Sequence, residues 1–478
     1  MISSDRMAAV DENAEALGVP RKQLMESSGN AVARRVRDLV DPGASVAVVA
    51  GRGNNGGDAF VAARFLDGYD VTVHLLGRAG TIATDIAREN WDALRECEYD
   101  AREVRDSRNL DLGTPDLVVD AMLGTGVTGE PREPERSAVE AVNATDAVVL
   151  AVDVPSGVDA DTGEAAGVAV EADHVVTFHD RKPGLDALDA DVTVADIGIP
   201  PAAERFVGPG DLGSTRRASD STKGDAGRVF VVGGGPYTGA PALAAQAALR
   251  AGADLSFVAV PESVKTPIQG YAEDLIVQPY GSDRLTPERV DGLVETATSY
   301  DDVVVLGPGL GTADETLAAV ERFLESFDGR AVVDADALSV VPEVDTDATL
   351  VCTPNRHELA EMGGPDADDL RARAEEIEAF AADLGHVVLA KGEDDVVTDG
   401  ERTRICRVGT PGMTVGGTGD TLAGVAAAML ATREPFDAAC VAPYVNGRAA
   451  ELLDESRGDG LLASDLLDAI PTAIWGER

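Results

Sequence analysis

The chain has 478 residues, of which 85 are acidic and 40 are basic, so its formal net charge is −45. This length favours two or three domains, and acid spread along the whole chain indicates a solvated surface adapted to high salt. The same charge argues against nucleic acid and anionic membranes as partners, because both require basic patches.

The N-terminus and the cysteines bear on where the protein works. Acidic residues occur early in the chain without an apolar segment, which predicts that there is no signal peptide. The longest apolar stretches are shorter than a membrane span, so we expect a cytoplasmic protein. The cysteines form no C-x-x-C pair, which predicts buried, reduced thiols rather than disulfides or a zinc site at Cys97, Cys352, Cys406 and Cys440.

Short runs of Val, Ala and Leu, each followed by a glycine-rich turn and a helical pattern, recur in two series. The first series comprises SVAVVA, DVTVHLL, PDLVVDAML, DAVVLAVDVP and DHVVTF. The second comprises RVFVVGGG, DLSFVAV, DVVVLGPGLG, RAVVDADAL, TLVCTPN and HVVLAKG. These runs predict buried parallel strands joined by crossover helices.

A segment rich in Pro, Gly and Ser separates the two series and lacks periodicity. It predicts a domain boundary near residue 212. We therefore expect two α/β domains, residues 1–212 and 213–478. Their functional sites should lie at the carboxyl ends of the strands, where the glycine-rich loops are.

The loop GRGNNGGDAF follows the first strand and raises the question of dinucleotide binding. Gly51, Gly53 and Gly56 spell G-x-G-x-x-G, but that fingerprint also requires an acidic residue at the end of the next strand. The next strand ends in Gly-Arg, so the literal match is weak. A tight turn would explain the glycines and would leave the two asparagines and the aspartate unexplained.

Two later strand ends also carry acidic residues before glycine-containing loops. Asp120 lies in VVDAMLGTGVTGE, and Asp153 and Ser156 lie in AVDVPSGVDADTG. With a loop amide these side chains supply hard oxygen ligands, too few for a divalent cage but enough for a weakly bound monovalent cation. Either aspartate alone could instead be a helix N-cap or a turn residue.

The ordered motifs LMESSG, GRGNNGGDAF, DAMLGTGVTG and DVPSGVDADTG resemble the NAD(P)H-hydrate epimerase family over roughly residues 1–200. This family interconverts the R and S epimers of NADHX and NADPHX, which are NADH and NADPH hydrated across C5–C6 of the dihydronicotinamide. The resemblance implies a Rossmann-like three-layer fold, potassium binding by Asn55, Asp120 and Ser156, and Asp153 at the nicotinamide end. The hydrate-binding residues that it implies are Asn54, Asn55, Gly56, Gly57, Asp58, Gly124, Thr125, Gly126, Val127, Thr128, Gly129 and Glu130.

Epimerisation at a carbon that bears a hydroxyl and a ring nitrogen requires transient loss of configuration. An iminium or a ring-opened species is the natural route, and a carboxylate can stabilise the positive charge and carry a proton. We assign this catalytic role to Asp153. Which carboxylate carries the proton stays open at this point.

The stretch TPGMTVGGTGDTLAG is the most specific pattern of the second half. Gly416, Gly417 and Gly419 lead into an apolar helix, so backbone N–H groups converge on an anion at a helix N-terminus. Asp420 would lie in the first turn and could take a proton from a hydroxyl attacking a phosphoryl group. The alternative is a helix acid favoured only by the dipole. The arrangement resembles the ribokinase-type superfamily.

The further motifs KGDAGRVFVVGGGPYTGAPALAAQAALRAGA, GPGLG, TPNRHE and AKG resemble the ADP/ATP-dependent NAD(P)H-hydrate dehydratase domain, over roughly residues 215–475. The resemblance implies a ribokinase-like α/β domain with hydrate contacts at Ala240, Gly309, His357 and Asp420. It implies contacts with the nucleotide, which would carry Mg²⁺, at Lys391, Gly392, Glu393, Asp394, Asp395 and Gly419. On the residues alone, His357 could cap a helix and Gly309 could be a turn. The three acids of the loop could face solvent or assist the magnesium ion.

Together these resemblances imply a fused repair enzyme, an epimerase followed by a lyase that dehydrates the S hydrate while converting ADP to AMP and phosphate. Asp420 would be the catalytic base. ADP and ATP are both open as donors, and microbial relatives favour ADP. A vitamin or sugar kinase with a regulatory domain and a nucleotide sensor without turnover are the alternatives, although a sensor needs no base. We expect a homo-oligomer whose partners are NADHX, NADPHX and ADP.

Overall fold

The computed structural model describes residues 1–126, 129–213 and 220–476. These residues form two compact units, Met1–Ala203 and Glu204–Arg478. Each unit is an α/β domain, as the sequence predicts. Among the described residues, no helix is both long and apolar enough to cross a membrane.

The boundary between the units lies before the expected one at residue 212. Residues 204–212 pack on the second unit, where Val207 N donates to Ile405 O at 2.9 Å and Asp211 pairs with Arg404 at 2.8 Å. The prediction placed them in the first domain because their proline and glycine content resembles a linker. Their partners come from a strand almost two hundred positions further on, which composition does not reveal.

The described residues of the first unit form a seven-stranded sheet in the order β3-β2-β1-β4-β5-β6-β7, with every pair parallel. The central strands consist of β-branched and small apolar residues, which suit a sheet covered on both faces. The strands are Ser45–Ala50 (β1), Asp70–Leu76 (β2), Asp100–Val104 (β3), Leu117–Ala121 (β4), Val148–Val152 (β5), His174–Phe178 (β6) and Asp191–Ala195 (β7).

Helices cover this sheet on both sides, so alternate residues of β1 enter different cores. Val46 and Val48 face the core that includes α2 and α3, whereas Ala47 and Val49 face the core that includes α5. Gly29 of the motif LMESSG lets α2 approach α3, because a Cβ there would lie 2.6 Å from Asp58 O. The helices are Ser4–Ala16 (α1), Arg21–Leu39 (α2), Asn54–Phe65 (α3), Asp85–Glu96 (α4), Glu135–Asn143 (α5) and Pro201–Arg205 (α6), the last crossing the boundary.

The described residues of the second unit form a nine-stranded sheet in the order β10-β9-β8-β11-β12-β13-β14-β15-β16. The strands from β8 to β14 pair in parallel, and β15 and β16 add an antiparallel edge. The strands are Arg228–Val232 (β8), Leu255–Val260 (β9), Ile276–Pro279 (β10), Val303–Leu306 (β11), Arg330–Val333 (β12), Thr349–Cys352 (β13), Val387–Ala390 (β14), Asp395–Thr398 (β15) and Thr403–Cys406 (β16).

Two helices rich in alanine and glycine pack closely against each other in the main core of this unit. In α7 and α13 most side chains are buried, and the apolar residues of both helices join the core beneath the sheet. The helices are Gly239–Arg250 (α7), Lys265–Gln269 (α8), Pro287–Ser299 (α9), Asp314–Ser326 (α10), Arg356–Glu361 (α11), Ala374–Leu384 (α12), Thr418–Leu430 (α13), Pro435–Arg457 (α14) and Ala463–Trp475 (α15).

The cysteines are free thiols, as expected, but they are not all buried. Cys352, Cys406 and Cys440 are buried, whereas Cys97 is exposed. Cys97 follows α4 as its C-cap residue, directly before a residue with positive φ. A helix end of this kind lies at the surface, which sequence spacing alone did not indicate.

Candidate active sites

The glycine-rich loop after β1 owes its glycines to close backbone contacts. A Cβ on Gly51 would overlap Met122 O, and a Cβ on Gly56 would overlap Gly51 O. Only glycine allows the loops after β1 and β4 to approach this closely. The helix α3 then begins at Asn54. Packing explains Gly51 and Gly56, whereas Gly53 has nothing within 4 Å of its Cβ position, and the polar side chains of the loop are left for another role.

The three residues predicted to bind potassium lie together around one backbone segment. Asp120 accepts hydrogen bonds from Ser156 N at 2.8 Å and from Ser156 Oγ at 2.6 Å. Ser156 Oγ accepts from Leu123 N at 2.9 Å, and Asn55 Nδ2 donates to Leu123 O at 2.8 Å. The three side chains therefore converge where the loops after β1, β4 and β5 meet.

Two features of this cluster favour a cation. Asn55 Oδ1 is buried and has no hydrogen-bond partner among the described residues, although buried polar atoms are nearly always paired. Asp120 is fully buried, and burial raises its pKa to about 6 despite its hydrogen bonds to Ser156. A cation held by these oxygens would satisfy the amide and stabilise the ionised carboxylate.

Asp153 lies directly after β5 in a strained conformation and is bound to a buried lysine. Its φ is 66°, which is uncommon for a residue with a side chain. Its Oδ1 accepts from Thr177 Oγ1 at 3.0 Å and pairs with Lys182 Nζ at 2.8 Å. Lys182 is fully buried and also donates to Phe178 O at 2.9 Å. Both contacts use Oδ1 of Asp153.

Two more carboxyl groups interact electrostatically with Asp153. Burial, followed by the charges of Asp153 and Asp11, raises the pKa of Asp58 well above its usual range. Burial also raises the pKa of Asp11 to about 6, although Arg21 and Lys182 oppose the shift. The site thus combines an aspartate tied to an ammonium group with carboxyl groups that favour the protonated form.

The other predicted hydrate contacts lie on the loops that border this cluster. Asn54 Oδ1 accepts from Thr84 Oγ1 at 2.8 Å, and Glu130 pairs with Arg136 at 2.9 Å. A cavity of about 260 Å³ is bordered by Gly124 and Gly129 and by the segment 154–166. Gly56 and Gly57 lie in the first turn of α3, and Thr125 and Gly126 lie in the loop after β4. Val127 and Thr128 lie outside the described residues.

The second site is built at the N-terminus of α13. Gly417 has a φ of 101° and serves as the N-cap, and Asp420 lies in the first turn, as predicted. Burial, followed by the charge of Asp334, raises the pKa of Asp420 to about 7, and Lys391 opposes the shift. A carboxyl group with this pKa can accept a proton at neutral pH.

Lys391 connects this helix end with the carboxyl ends of β12, β13 and β14. It follows β14, and its Nζ lies 3.3 Å from the point where a Cβ on Gly419 would stand. It pairs with Asp334 Oδ1 at 2.8 Å and lies 3.9 Å from Glu358 Oε2. Asp334 Oδ1 also accepts from Thr353 Oγ1 at 2.7 Å. The predicted nucleotide residues Lys391 and Gly419 therefore meet at one edge of the sheet.

The acidic loop after Lys391 is held by internal contacts. Asp394 pairs with Arg371 at 2.9 Å, and Asp395 Oδ1 accepts from Gly392 N at 2.9 Å. Burial raises the pKa of Asp395 to about 7. Glu393 is exposed. Two of the three acids thus make contacts that shape the loop.

The predicted hydrate contacts of the second unit lie on the loops after three strands. Ala240 is in the first turn of α7, after β8. Gly309 follows β11 with a φ of 73°, and a Cβ there would lie 3.2 Å from Tyr237 O. His357 is exposed in the first turn of α11. The capping residue of that helix is Asn355, which accepts from the backbone of His357 and Glu358.

Sequence reasoning missed the side chains that contact the predicted residues of both sites or act on them electrostatically. In the first site these are Asp11, Lys182 and the neutral hydroxyl of Thr177, and in the second they are Asp334 and Glu358. The signal was the scarcity of lysine. The basic set is almost entirely arginine, and the chain has lysine only at positions 22, 182, 223, 265 and 391. Lys182 and Lys391 come soon after the apolar strands DHVVTF and HVVLA, and a lysine is almost never fully buried unless it is paired.

Comparisons with known proteins agree with both halves. The family described as YjeF-related protein N-terminus matches residues 21–184, and the family described as NAD(P)H-hydrate dehydratase matches residues 229–472. A bifunctional NAD(P)H-hydrate repair enzyme from Methanothermobacter thermautotrophicus is 43% identical over 98% of this chain and 94% of its own. The chain belongs to the bifunctional NAD(P)H-hydrate repair enzyme family.

Other relatives support the same family and fold. A bifunctional NAD(P)H-hydrate repair enzyme from Hyperthermus butylicus is 42% identical over 99% of this chain and 92% of its own. The solved structure of a hypothetic protein from Streptococcus mutans has a TM-score of 0.50 and 23% identity, covering 56% of this chain and 98% of its own. The expected fold class, with a Rossmann-like first domain and a ribokinase-like second domain, is confirmed. The individual site residues stay predictions.

Proposed function

We propose that this chain restores hydrated NADH and NADPH. The first unit interconverts the R and S hydrates, and the second removes water from the S hydrate while converting ADP to AMP and phosphate. The observation that carries this proposal is that Asp420 lies at the start of α13, where Lys391 Nζ is 3.3 Å from the Cβ position of Gly419 and its charge acts on Asp420. A base and an ammonium group at an anion-binding helix end are what phosphoryl transfer to a hydroxyl requires.

In the first unit, Asp153 faces the reacting carbon of the nicotinamide ring. Its Oδ1 pairs with Lys182 Nζ at 2.8 Å, and the carboxylate stabilises an iminium after hydroxide departs from C6. Departure requires a proton on the leaving oxygen. Asp58, whose pKa burial raises, supplies that proton. Water that adds to the opposite face of the iminium releases its proton to solvent, from which Asp58 is protonated again.

The residues of the first unit fit a bound potassium ion. Asn55 Oδ1, Asp120 and Ser156 would hold it, as would Leu123 O, since all supply hard oxygen atoms. A bound cation supplies positive charge near the loops that carry the hydrate. Because Asn55 lies between the β1 and β4 loops, ordering its amide also orders Gly124, whose Cβ position is 3.4 Å from Asn55 Cβ.

In the second unit, Asp420 removes the proton of the C6 hydroxyl. The oxygen forms a bond to the terminal phosphorus of ADP while the bond from that phosphorus to the leaving AMP breaks. The phosphorylated hydrate then expels phosphate from C6 and loses a proton from C5, which restores the C5–C6 double bond. Lys391 balances the charge of the phosphates, and the N–H groups at the start of α13 bind their oxygens.

A magnesium ion would enter this site with the nucleotide. The described residues contain no cluster of three or more His, Cys, Asp and Glu side chains able to hold a metal ion. Magnesium is commonly bound by one or two carboxylates together with substrate phosphates. Glu358 suits this role, since its carboxylate lies 3.9 Å from Lys391 Nζ at the edge where the phosphates bind.

The test follows both hydrates in one reaction. Chemically prepared R and S NADH hydrates are incubated with the enzyme and ADP, with the epimers separated by chromatography and NADH followed by absorbance. We expect equal amounts of AMP, phosphate and NADH from both epimers. In Asp153→Asn, the S hydrate should be consumed while the R hydrate remains.

The alternatives give different products. A stable phosphorylated hydrate without free phosphate or NADH would show a kinase. Binding of nucleotide without any turnover would show a sensor. Consumption of the R hydrate by Asp153→Asn at the wild-type rate would remove Asp153 from the reaction. With ATP as donor, ADP should be the product, and the ratio of kcat/KM for ADP and ATP decides which donor the enzyme prefers.

A further inference from the structure

The end of β2 in the first unit has a feature that the proposed reaction does not use. In dinucleotide-binding folds an acidic residue near this strand end binds the adenosine ribose, and a nearby arginine accommodates a 2′-phosphate instead. Here β2 ends at Leu76 and continues as Gly77-Arg78. Where dinucleotide-binding folds have an acidic residue after this strand, this chain therefore has the cationic side chain of Arg78.

A second arginine crosses the same edge of the sheet. The side chain of Arg52 starts from the loop after β1, and its Cδ is 3.0 Å from the Cβ position of Gly77, after β2. Its Nη2 donates to Glu135 Oε1 at 3.3 Å, at the start of α5, which follows β4. The arginine thus spans the carboxyl end of β1, and its side chain is 41% exposed.

Both arginines keep hydrogen-bonding capacity for a ligand. A guanidinium has five N–H donors, and among the described residues Arg52 uses them only toward Glu135. Arg78 is exposed and interacts electrostatically with Glu103. Glu103 already pairs with Arg105 at 2.6 Å and accepts a hydrogen bond from Ala79 N. Two carboxylates, Glu103 and Glu135, therefore border the arginines without saturating them.

The order of the strands places these arginines along the path of a dinucleotide. The hydrated ring is assigned to Asp153 after β5 and to the loops after β4 and β1. Strand order runs β2-β1-β4-β5, and adjacent strands lie about 4.8 Å apart. The remainder of a substrate whose ring lies over β5 and β4 extends over β1 toward β2. Its phosphates then reach Arg52 first and Arg78 next.

The charge of the protein makes such cations necessary. The substrate carries at least two negative charges on its pyrophosphate, and the chain has a net charge of −45. Local positive charge is required to bind an anion against that field. Arginine suits phosphate because its planar fork makes two parallel hydrogen bonds.

We propose that Arg52 and Arg78 form a phosphate subsite of the epimerase unit. Arg52 binds the pyrophosphate of both hydrates, and Arg78 binds the 2′-phosphate that only the NADPH hydrate carries. This inference rests on the proposed function and adds the part of the substrate that is remote from the ring. It makes the NADPH hydrate the better substrate of the first unit.

The test measures epimerisation in the full chain without ADP, so that the second unit is silent. Arg52→Gln should lower kcat/KM about tenfold for both hydrates, the equivalent of one charge-assisted hydrogen bond. Arg78→Gln should lower it about tenfold for the NADPH hydrate only. Arg102→Gln is the control, because Arg102 is exposed and paired with Asp100 at the start of β3.

A further variant separates substrate binding from a structural role. If Arg52 served only to hold α5 through Glu135, Glu135→Gln would lower kcat/KM as much as Arg52→Gln. The subsite instead predicts that Glu135→Gln leaves kcat/KM unchanged or raises it, since a competing carboxylate is removed. Equal losses in these two variants, or a loss in Arg78→Gln that is the same for both hydrates, would overturn the subsite.

Failure of the subsite and failure of the proposed function are distinguishable. A wild-type chain that does not interconvert the hydrates would overturn the epimerase function and the subsite with it. An active wild type whose Arg52→Gln and Arg78→Gln variants keep full kcat/KM would overturn the subsite alone. The hydrate of reduced nicotinamide mononucleotide, which lacks the adenosine half, should be insensitive to Arg78→Gln.

Discussion

At the scale of single residues, burial tunes the acids of both sites toward neutral pH. Asp120 and Asp420 lie on different units, yet desolvation is the largest cause of the raised pKa in each, to about 6 and about 7. The neighbouring groups of each aspartate determine which role it is suited to. Asp120 has neutral hydrogen-bond donors and an amide oxygen without a partner beside it, which favours a cation. The pKa of Asp420 is lowered by the charge of Lys391 and raised by that of Asp334, and we propose this aspartate as a base.

The role of Asp420 as a base predicts a pH dependence. Only the ionised form accepts a proton, so dehydration of the S hydrate should rise with pH through about 7, the pKa of Asp420 in the free enzyme. Asp420→Asn should lower kcat by about 10² to 10⁴ at every pH. The control is Asp437→Asn, an exposed first-turn acid of α14. A pH profile unchanged in shape by Asp420→Asn would contradict the assignment.

The cation site predicts a specific effect of potassium on the first unit. At constant ionic strength, replacing K⁺ with tetramethylammonium should slow epimerisation, because the bulky ion does not fit beside Asn55 and Asp120. Asp120→Ala should remove this sensitivity. Asp116→Ala is the control, because Asp116 directly precedes the first residue of β4, at the end of the strand away from Asp120. This variant should keep the sensitivity to potassium. Equal rates with both cations in the wild type would show that the site holds no potassium.

At the scale of elements, glycine sets how closely neighbouring segments pack. Gly51 and Gly56 bring the loops of the first site together, and Gly424 does the same for two helices of the second unit. A Cβ on Gly424 of α13 would overlap Ala244 O of α7. Because α13 also carries Asp420, the contact between these helices positions the base as well as filling the core.

This contact predicts opposite effects of the same substitution at two helical glycines. Gly424→Ala should lower the free energy of unfolding by about 1–3 kcal/mol, because the backbone of α7 must move. Gly292→Ala in α9 should raise it by up to about 1 kcal/mol, since nothing lies within 4 Å and alanine favours the helix. Denaturant titration measures both. A neutral Gly424→Ala would mean that the helices adjust freely.

At the scale of the whole molecule, excess acid governs behaviour in solution. The chain carries 85 acidic residues and 40 basic ones, so most carboxylates have no cation available to them. Many arginines pair with nearby carboxylates, for example Arg322 with Asp291 and Arg136 with Glu130. Such exposed pairs contribute little stability, and screening by salt is the remaining way to reduce the repulsion.

The charge predicts that folding requires salt. The Debye length is about 30 Å at 0.01 M and about 3 Å at 1 M, so carboxylates repel one another across the whole surface in dilute buffer. We expect loss of folded structure and activity below a few tenths molar salt, with recovery in molar KCl. Circular dichroism measured along a KCl series tests this. Full stability in salt-free buffer would refute adaptation to high salt.

The central strands and the glycine-rich loops were predictable from the sequence, whereas the sheet edges were not. Among the described residues, four of the five strands that the pattern missed lie at an edge, β3 and β7 in the first sheet and β10 and β16 in the second, and the fifth, β15, lies between β14 and the edge strand β16. A central parallel strand is covered on both faces and reads as a continuous apolar run. An edge strand is partly exposed, so its sequence alternates or carries charge, as in DAREV.

The sequence by itself determined the two α/β domains and the family. It also determined which side chains follow the carboxyl ends of the strands in each sheet. Asp120, Asp153 and Ser156 could be grouped because the carboxyl ends of parallel strands meet at one edge, and the family resemblance added Asn55. The tertiary structure alone decided the ionic partners of the predicted site residues, such as Lys182 for Asp153 and Asp334 for Lys391. Ionic pairs between distant positions follow no period in the chain, and the free energy of a buried charge depends on which opposite charge the fold brings within reach.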